Sequence, residues 1–94
     1  MSISNIPLFL GDTTFDRHAN KQVHGGTHIN GVNTVRACKE KCSNDAFCGG
    51  VDFNKGDHTC WKLDMYRVCE PNSLIPSSGN GSDQYRKSDV CKYY

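Results

Sequence analysis

The chain has 94 residues, a net charge of +1, and hydrophobic side chains at only 36% of its positions. That length suits one domain over 1–94, close to the lower limit of what an apolar core holds together without covalent help. The charges are interspersed, which argues against nucleic acid as a partner, and no apolar stretch is long enough for membrane insertion.

The amino terminus carries an apolar patch at Ile6, Leu8, Phe9 and Leu10 without a positive leader or a cleavage-like tail. The expectation is a mature chain or an excised domain, separated from its export leader. Residues 8–15 read as a strand interrupted by the turn-prone Gly11-Asp12. Residues 16–31 hold three histidines and three glycines with no helical period, and are expected to be loop and short strand.

Asn33 or Thr34 can cap a helix, because either side-chain oxygen can accept from the free amides of a first turn. The run from Val35 to Cys42 lacks Gly and Pro, and Val35, Cys38 and Cys42 fall on one helical face. A helix is therefore predicted over about 34–43, ended by the turn-forming Ser43-Asn44-Asp45. Residues 48–54 alternate around Val51 and Phe53, and Lys55-Gly56-Asp57 signals a turn before 59–65. This predicts a hairpin over about 48–65. Residues 70–82 are rich in Pro, Ser, Asn and Gly, with Leu74 and Ile75 as the large apolar side chains, and read as a long surface loop. Residues 84–86 and 90–93 are candidates for one more strand, broken or continuous.

Six cysteines, Cys38, Cys42, Cys48, Cys60, Cys69 and Cys91, form an even set in a short chain. Such a set reads as a disulfide framework, and disulfides persist in oxidising surroundings, so a secreted, extracellular module is expected. Each bridge contributes about 2–4 kcal/mol, comparable to the whole margin of a small domain. Zinc would ask for close cysteine pairs; Cys38 and Cys42 could form one knuckle, but the other four stand alone.

The run Cys38-Lys-Glu-Lys-Cys42, then Cys48-Gly-Gly-Val-Asp-Phe53-Asn54, then Cys60-Trp-Lys-Leu63 resembles the core of the PAN/Apple domain family. In that family a helix bearing two cysteines precedes a C-x-G-hydrophobic-x-aromatic-Asn strand and a C-aromatic-x-Leu strand; the resemblance covers about residues 34–63. It implies an α+β fold, a small disulfide-rich module in which a twisted antiparallel β-sheet cradles one α-helix. It also implies bridges from Cys38 to Cys60 and from Cys42 to Cys48, which leaves Cys69 with Cys91. The chain departs from the Apple pattern because no cysteine precedes Cys38. The bridge that joins the two termini in Apple domains is thus missing, and the path of residues 64–94 stays open. Strict alternation puts Cys60 and Leu63 on opposite faces although the family pattern implies that both serve the core, so a bulge is expected there.

No catalytic constellation is legible: no free thiol is left over, and no serine elbow, phosphate loop or carboxylate pair appears at useful spacing. The protein is therefore read as no enzyme, with no cofactor. His18, His24 and His28 share one glycine-bearing segment with Asp16, but spacing supplies no third metal ligand, and exposed loop histidines are the ordinary reading. The aspartates form no alternating calcium cluster.

Sugar binding needs an aromatic face and a few polar groups, which Asp57, His58, Trp61 and Tyr66 could provide on or beside the hairpin. For Trp61 the alternative is a packing role next to a disulfide. Some PAN/Apple proteins resemble lectins and others protein-docking modules, so the resemblance implies a glycan or an extracellular protein as ligand and transfers no site residue. Asn80-Gly81-Ser82 is a glycosylation sequon. Tyr85, Tyr93 and Tyr94 with Arg86, Lys87 and Lys92 make a tail suited to protein contact or to guarding a sheet edge. The expected function is a secreted recognition module for carbohydrate or protein ligands. Its alternatives are a structural or adhesive matrix protein that self-associates into homo-oligomers, and a toxin or protease inhibitor presenting the 70–82 loop.

Overall fold

The structure, a computed structural model, describes residues 13–77 and 81–92. The apolar patch at 6–10, Asn80 of the sequon, and Tyr93 and Tyr94 lie outside the described residues. The predicted helix forms over Val35–Ser43 (α1). Of the two candidate caps it is Thr34 that acts, its hydroxyl accepting from the Ala37 N–H at 3.1 Å. At the other end the Asn44 N–H donates to the Glu40 carbonyl at 3.1 Å. Nine residues are too few for a stable isolated helix in water, so α1 depends on what its buried face, Cys38 and Cys42, is attached to.

That support is the hairpin, β4 (Cys48–Asn54) and β5 (Thr59–Asp64). Cys38 is bridged to Cys60 on β5 and Cys42 to Cys48 on β4. Around the hairpin an antiparallel sheet adds β7 (Ser82–Lys87) and β1 (Phe15–His18) on one side and β3 (Thr27–His28) on the other, in the order β1-β7-β4-β5-β3. Residues 16–31 thus contain three short strands, the third being β2 (Lys21–Gln22), which pairs with β6 (Ile75–Pro76) in a separate ribbon.

Both faces of the sheet are buried. On the α1 face Val51, Phe53, Cys60 and Tyr85 pack with the two helical cysteines and Val32. On the opposite face Leu63 packs with Val23 and with Val68 of a second helix, α2 (Met65–Cys69). This corrects the expected bulge between Cys60 and Leu63. Residues 60–63 pair with 50–53 in unbroken register, and Cys60 and Leu63 are each buried on their own face. The register shift lies in β4 instead, between Cys48 and Gly50. There a Cβ on Gly49 would come 2.7 Å from the Met65 Cα, and one on Gly50 would come 2.6 Å from the Tyr85 carbonyl oxygen. The glycine pair lets α2 and β7 approach the β4 backbone from two directions.

Other expectations change in the carboxy-terminal half. The hairpin ends at Asp64, one residue early, because its carboxylate accepts from the Arg67 N–H at 2.8 Å and caps α2, a helix the sequence reading omits. The 70–82 segment is interrupted by β6, and its last residue, Ser82, is buried at the start of β7. Residues 84–86 lie within β7, whereas 90–92 form turns, with the Val90 N–H on the Lys87 carbonyl, and the Cys69–Cys91 bridge holds that turn to the end of α2. The strand expected over 8–15 begins at Phe15, and its 8–12 portion lies outside the described residues.

Replacing Gly49 by alanine sets a Cβ against backbone rather than against a side chain that could turn away. Gly49→Ala is expected to lower stability by about 1–3 kcal/mol in denaturant unfolding with the disulfides intact. An unchanged midpoint would show that α2 does not lie this close to β4.

Candidate ligand-binding cleft

On the face opposite α1, a cleft of about 290 Å³ opens between residues 22–26 and the turn end of the hairpin. Its aromatic wall is Trp61, 38% exposed. Trp61 points to this face because β5 alternates, and it sits opposite Asp52 of β4. The hairpin turn builds the rim. Asn54 Oδ1 accepts from the Gly56 and Asp57 amides at 2.8 and 3.2 Å, which curls the chain so that Asp57 faces back. The Thr59 hydroxyl then donates to Asp57 Oδ1 at 2.6 Å and accepts from Trp61 Nε1 at 3.0 Å. The His28 ring lies 5.0 Å from the indole, tilted by 43°. Indole and carboxylate are thus locked to each other through one hydroxyl.

Of the four residues proposed from sequence, the structure brings Asp57 and Trp61 together in this cleft. His58 takes a left-handed conformation, φ 58°, and sets its ring edge-on to Phe53 at 6.2 Å, off the cleft lining. Tyr66 is 58% exposed on α2, in a different depression with Asp64, Arg67 and Glu70. The three histidines do not converge: His18 lies opposite Gln84 in the sheet, His24 lines the cleft and His28 sets its tilted ring against Trp61. Sequence reading missed Asp52 and Thr59 and weighed His24 only as a metal ligand. For Asp52 a signal was present, an acidic residue between Val51 and Phe53 in a strand otherwise suited to burial.

Asp52 is 6% exposed and forms part of the cleft wall. Its Oδ2 accepts from the Val23 N–H and its Oδ1 from Gln84 Nε2, both at 3.0 Å. Burial pushes its pKa up to about 6, against the pull of these two hydrogen bonds and of the charges on Arg86 and His24. Asp83, 2% exposed, goes the other way. Burial acts upward on it too, but the Asn20 N–H and Lys55 Nζ on Oδ1, at 2.9 and 3.0 Å, and the Arg17 guanidinium on Oδ2 outweigh that and hold it down to about 2.

These opposite shifts predict a stability maximum in mild acid. The lowered Asp83 contributes stability above its unfolded value of 3.8 that is lost as pH falls toward 2. The raised Asp52 contributes stability that is complete below 3.8 and is lost as pH rises through about 6. The Asp52 part is on the order of 3 kcal/mol. Thermal unfolding should therefore show a midpoint that declines between pH 4.5 and 7 in the wild type and stays level over that window in Asp52→Asn. A decline that persists in the variant would assign it to another group.

The family model of the PAN domain matches residues 12–93. No curated protein and no solved structure matches the chain at a significant level. PAN domains are generally protein- or carbohydrate-binding modules of extracellular proteins and are typically non-catalytic. Three disulfides suit an extracellular domain, and among the described residues no helix is long and apolar enough to cross a membrane. With a helix bridged twice to an antiparallel hairpin and a family match over nearly its whole length, this chain belongs to the PAN domain family.

Proposed function

We propose that the protein is a secreted, non-enzymatic recognition module that binds carbohydrate in the cleft beside Trp61. The observation that carries this reading is the indole itself: part-exposed, held by Thr59, and flanked by carboxylate and amide groups. Such a surface offers an aromatic face to the C–H groups of a pyranose while Asp57, Asn54 and Gln22 stand near its hydroxyls. About 290 Å³ lies at the lower end of ligand-pocket volumes, which suits a terminal sugar unit better than an extended apolar molecule.

A second reading rests on two other side chains. Phe47 is 67% exposed and Tyr66 58%, and surface aromatics of this kind serve protein contacts, including self-association of an adhesive matrix protein. Sedimentation over a range of concentrations separates the two, since the matrix reading requires assembly to grow with concentration.

A glycan array probed with the oxidised protein tests the first reading. Saturable binding to one sugar class is expected, weakened about tenfold or more in Trp61→Ala, with the melting temperature of the variant near that of the wild type. Equal binding by Trp61→Ala would remove the cleft as the site.

A further inference from the structure

Asp52 and Asp83 are comparably buried, yet only one of them meets a cation. Asp83 contacts Arg17 and Lys55 directly. Asp52 has no ion pair among the described residues: its oxygens face the neutral Val23 N–H and Gln84 Nε2, and Arg86 connects to it only through Gln84 Oε1, at 3.2 Å. Buried carboxylates are ordinarily paired, because an uncompensated charge in a low-dielectric site is costly. The remaining side of Asp52 is the cleft. There Asp57 adds a second carboxylate, Trp61 presents its ring, and neither Lys nor Arg contributes to the lining. The charged and titratable groups that face Asp52 are Arg86 from β7, His24 from the segment before β3, and Asp57 across the cleft.

Resting on the reading of this cleft as a sugar site, we propose that its preferred ligand is an amino sugar with a free, protonated amine, and that the cleft rejects uronic, sialic and sulfated sugars. The ammonium supplies the direct ionic partner that Asp52 has from no described side chain and sits against the electron-rich indole face, where a cation is favoured. An anionic sugar would instead bring a third negative charge against Asp52 and Asp57, with no Lys or Arg in the lining to offset it. Protons compete with the ligand for Asp52, because burial already favours its neutral form in mild acid. Affinity for the amino sugar therefore falls as pH drops from 7 to 5.

The test titrates glucosamine, N-acetylglucosamine, glucose and glucuronate, and the corresponding galacto series, into the oxidised full chain. The readout is the NMR resonance of the Trp61 indole N–H, which is unambiguous because the chain has one tryptophan. The free amino sugar is expected to bind about tenfold or more tightly than its neutral counterparts, and the uronate not to bind. That advantage should shrink at pH 5, and in Asp57→Asn, a turn variant that leaves the buried Asp52 contacts intact. A neutral or anionic sugar that binds as tightly as the amino sugar overturns this inference and leaves the carbohydrate reading standing. A resonance that no sugar moves, together with a silent array, overturns both.

Discussion

The two bridges that leave one face of α1 set the frame on which the rest of the molecule is hung. A helix of nine residues has little stability of its own, and its buried face is mostly sulfur. Cys38 and Cys42, one turn apart, reach the two strands of a single hairpin, so the helix can neither roll nor slide along the sheet. Val51, Phe53 and Tyr85 then fill the space beneath it, and Lys39 extends over the Tyr85 ring at 4.7 Å. The bridge between residues 38 and 60 also closes a long loop, which in the chain-entropy picture contributes about 3 kcal/mol.

The buried polar chemistry of the sheet is concentrated in β7 and lies on both of its faces. Four consecutive residues of β7, Ser82 to Tyr85, are buried, and three of them are polar. They are tolerated because each finds partners: Ser82 with Ser77, Asp83 with three separate donor groups, and Gln84 with Asp52 and the Val51 carbonyl. Two carboxylates of the same fold therefore titrate in opposite directions. Asp83 lies near the end of the sheet, where Arg17 and Lys55 can reach it with their heads still in water. Asp52 lies mid-strand, where its hydrogen-bond partners are a backbone amide and a side-chain amide, and it is the one that borders the cleft.

The helix, its cap and the central hairpin were legible because each is set by residues close together in sequence. Thr34, the Cys38–Cys42 spacing and Lys55-Gly56-Asp57 are local signals, and tertiary structure had no reason to override them. The carboxy-terminal half was harder to read. A helix of five residues has no period to detect, and Ile75–Pro76 becomes a strand only because Lys21–Gln22 lies beside it. The expected bulge rested on the assumption that the sheet has one buried face; once both faces are covered, Cys60 and Leu63 satisfy simple alternation. Half of the proposed site was legible for the same local reason, since Asp57 and Trp61 belong to one turn and its outgoing strand. His58 and Tyr66 looked equivalent in sequence but are turned elsewhere, one by a left-handed backbone and the other by the start of α2.

Elements with local causes can be read along the chain: one capped helix, one hairpin, and six cysteines in a composition too poor in apolar residues to do without their bridges. Its cysteine, glycine and aromatic spacing also carried the family resemblance, and the pairing that the resemblance implies is the one the structure has. It took the tertiary structure to cover the sheet on both sides and to bury Asp52 without a direct ion pair among the described residues. The tertiary structure also decided that a cleft forms from residues 22–26, 52–61 and 82. Those outcomes depend on segments far apart in the chain being held within hydrogen-bonding distance, and no local propensity encodes the desolvation and pairing that follow when they meet.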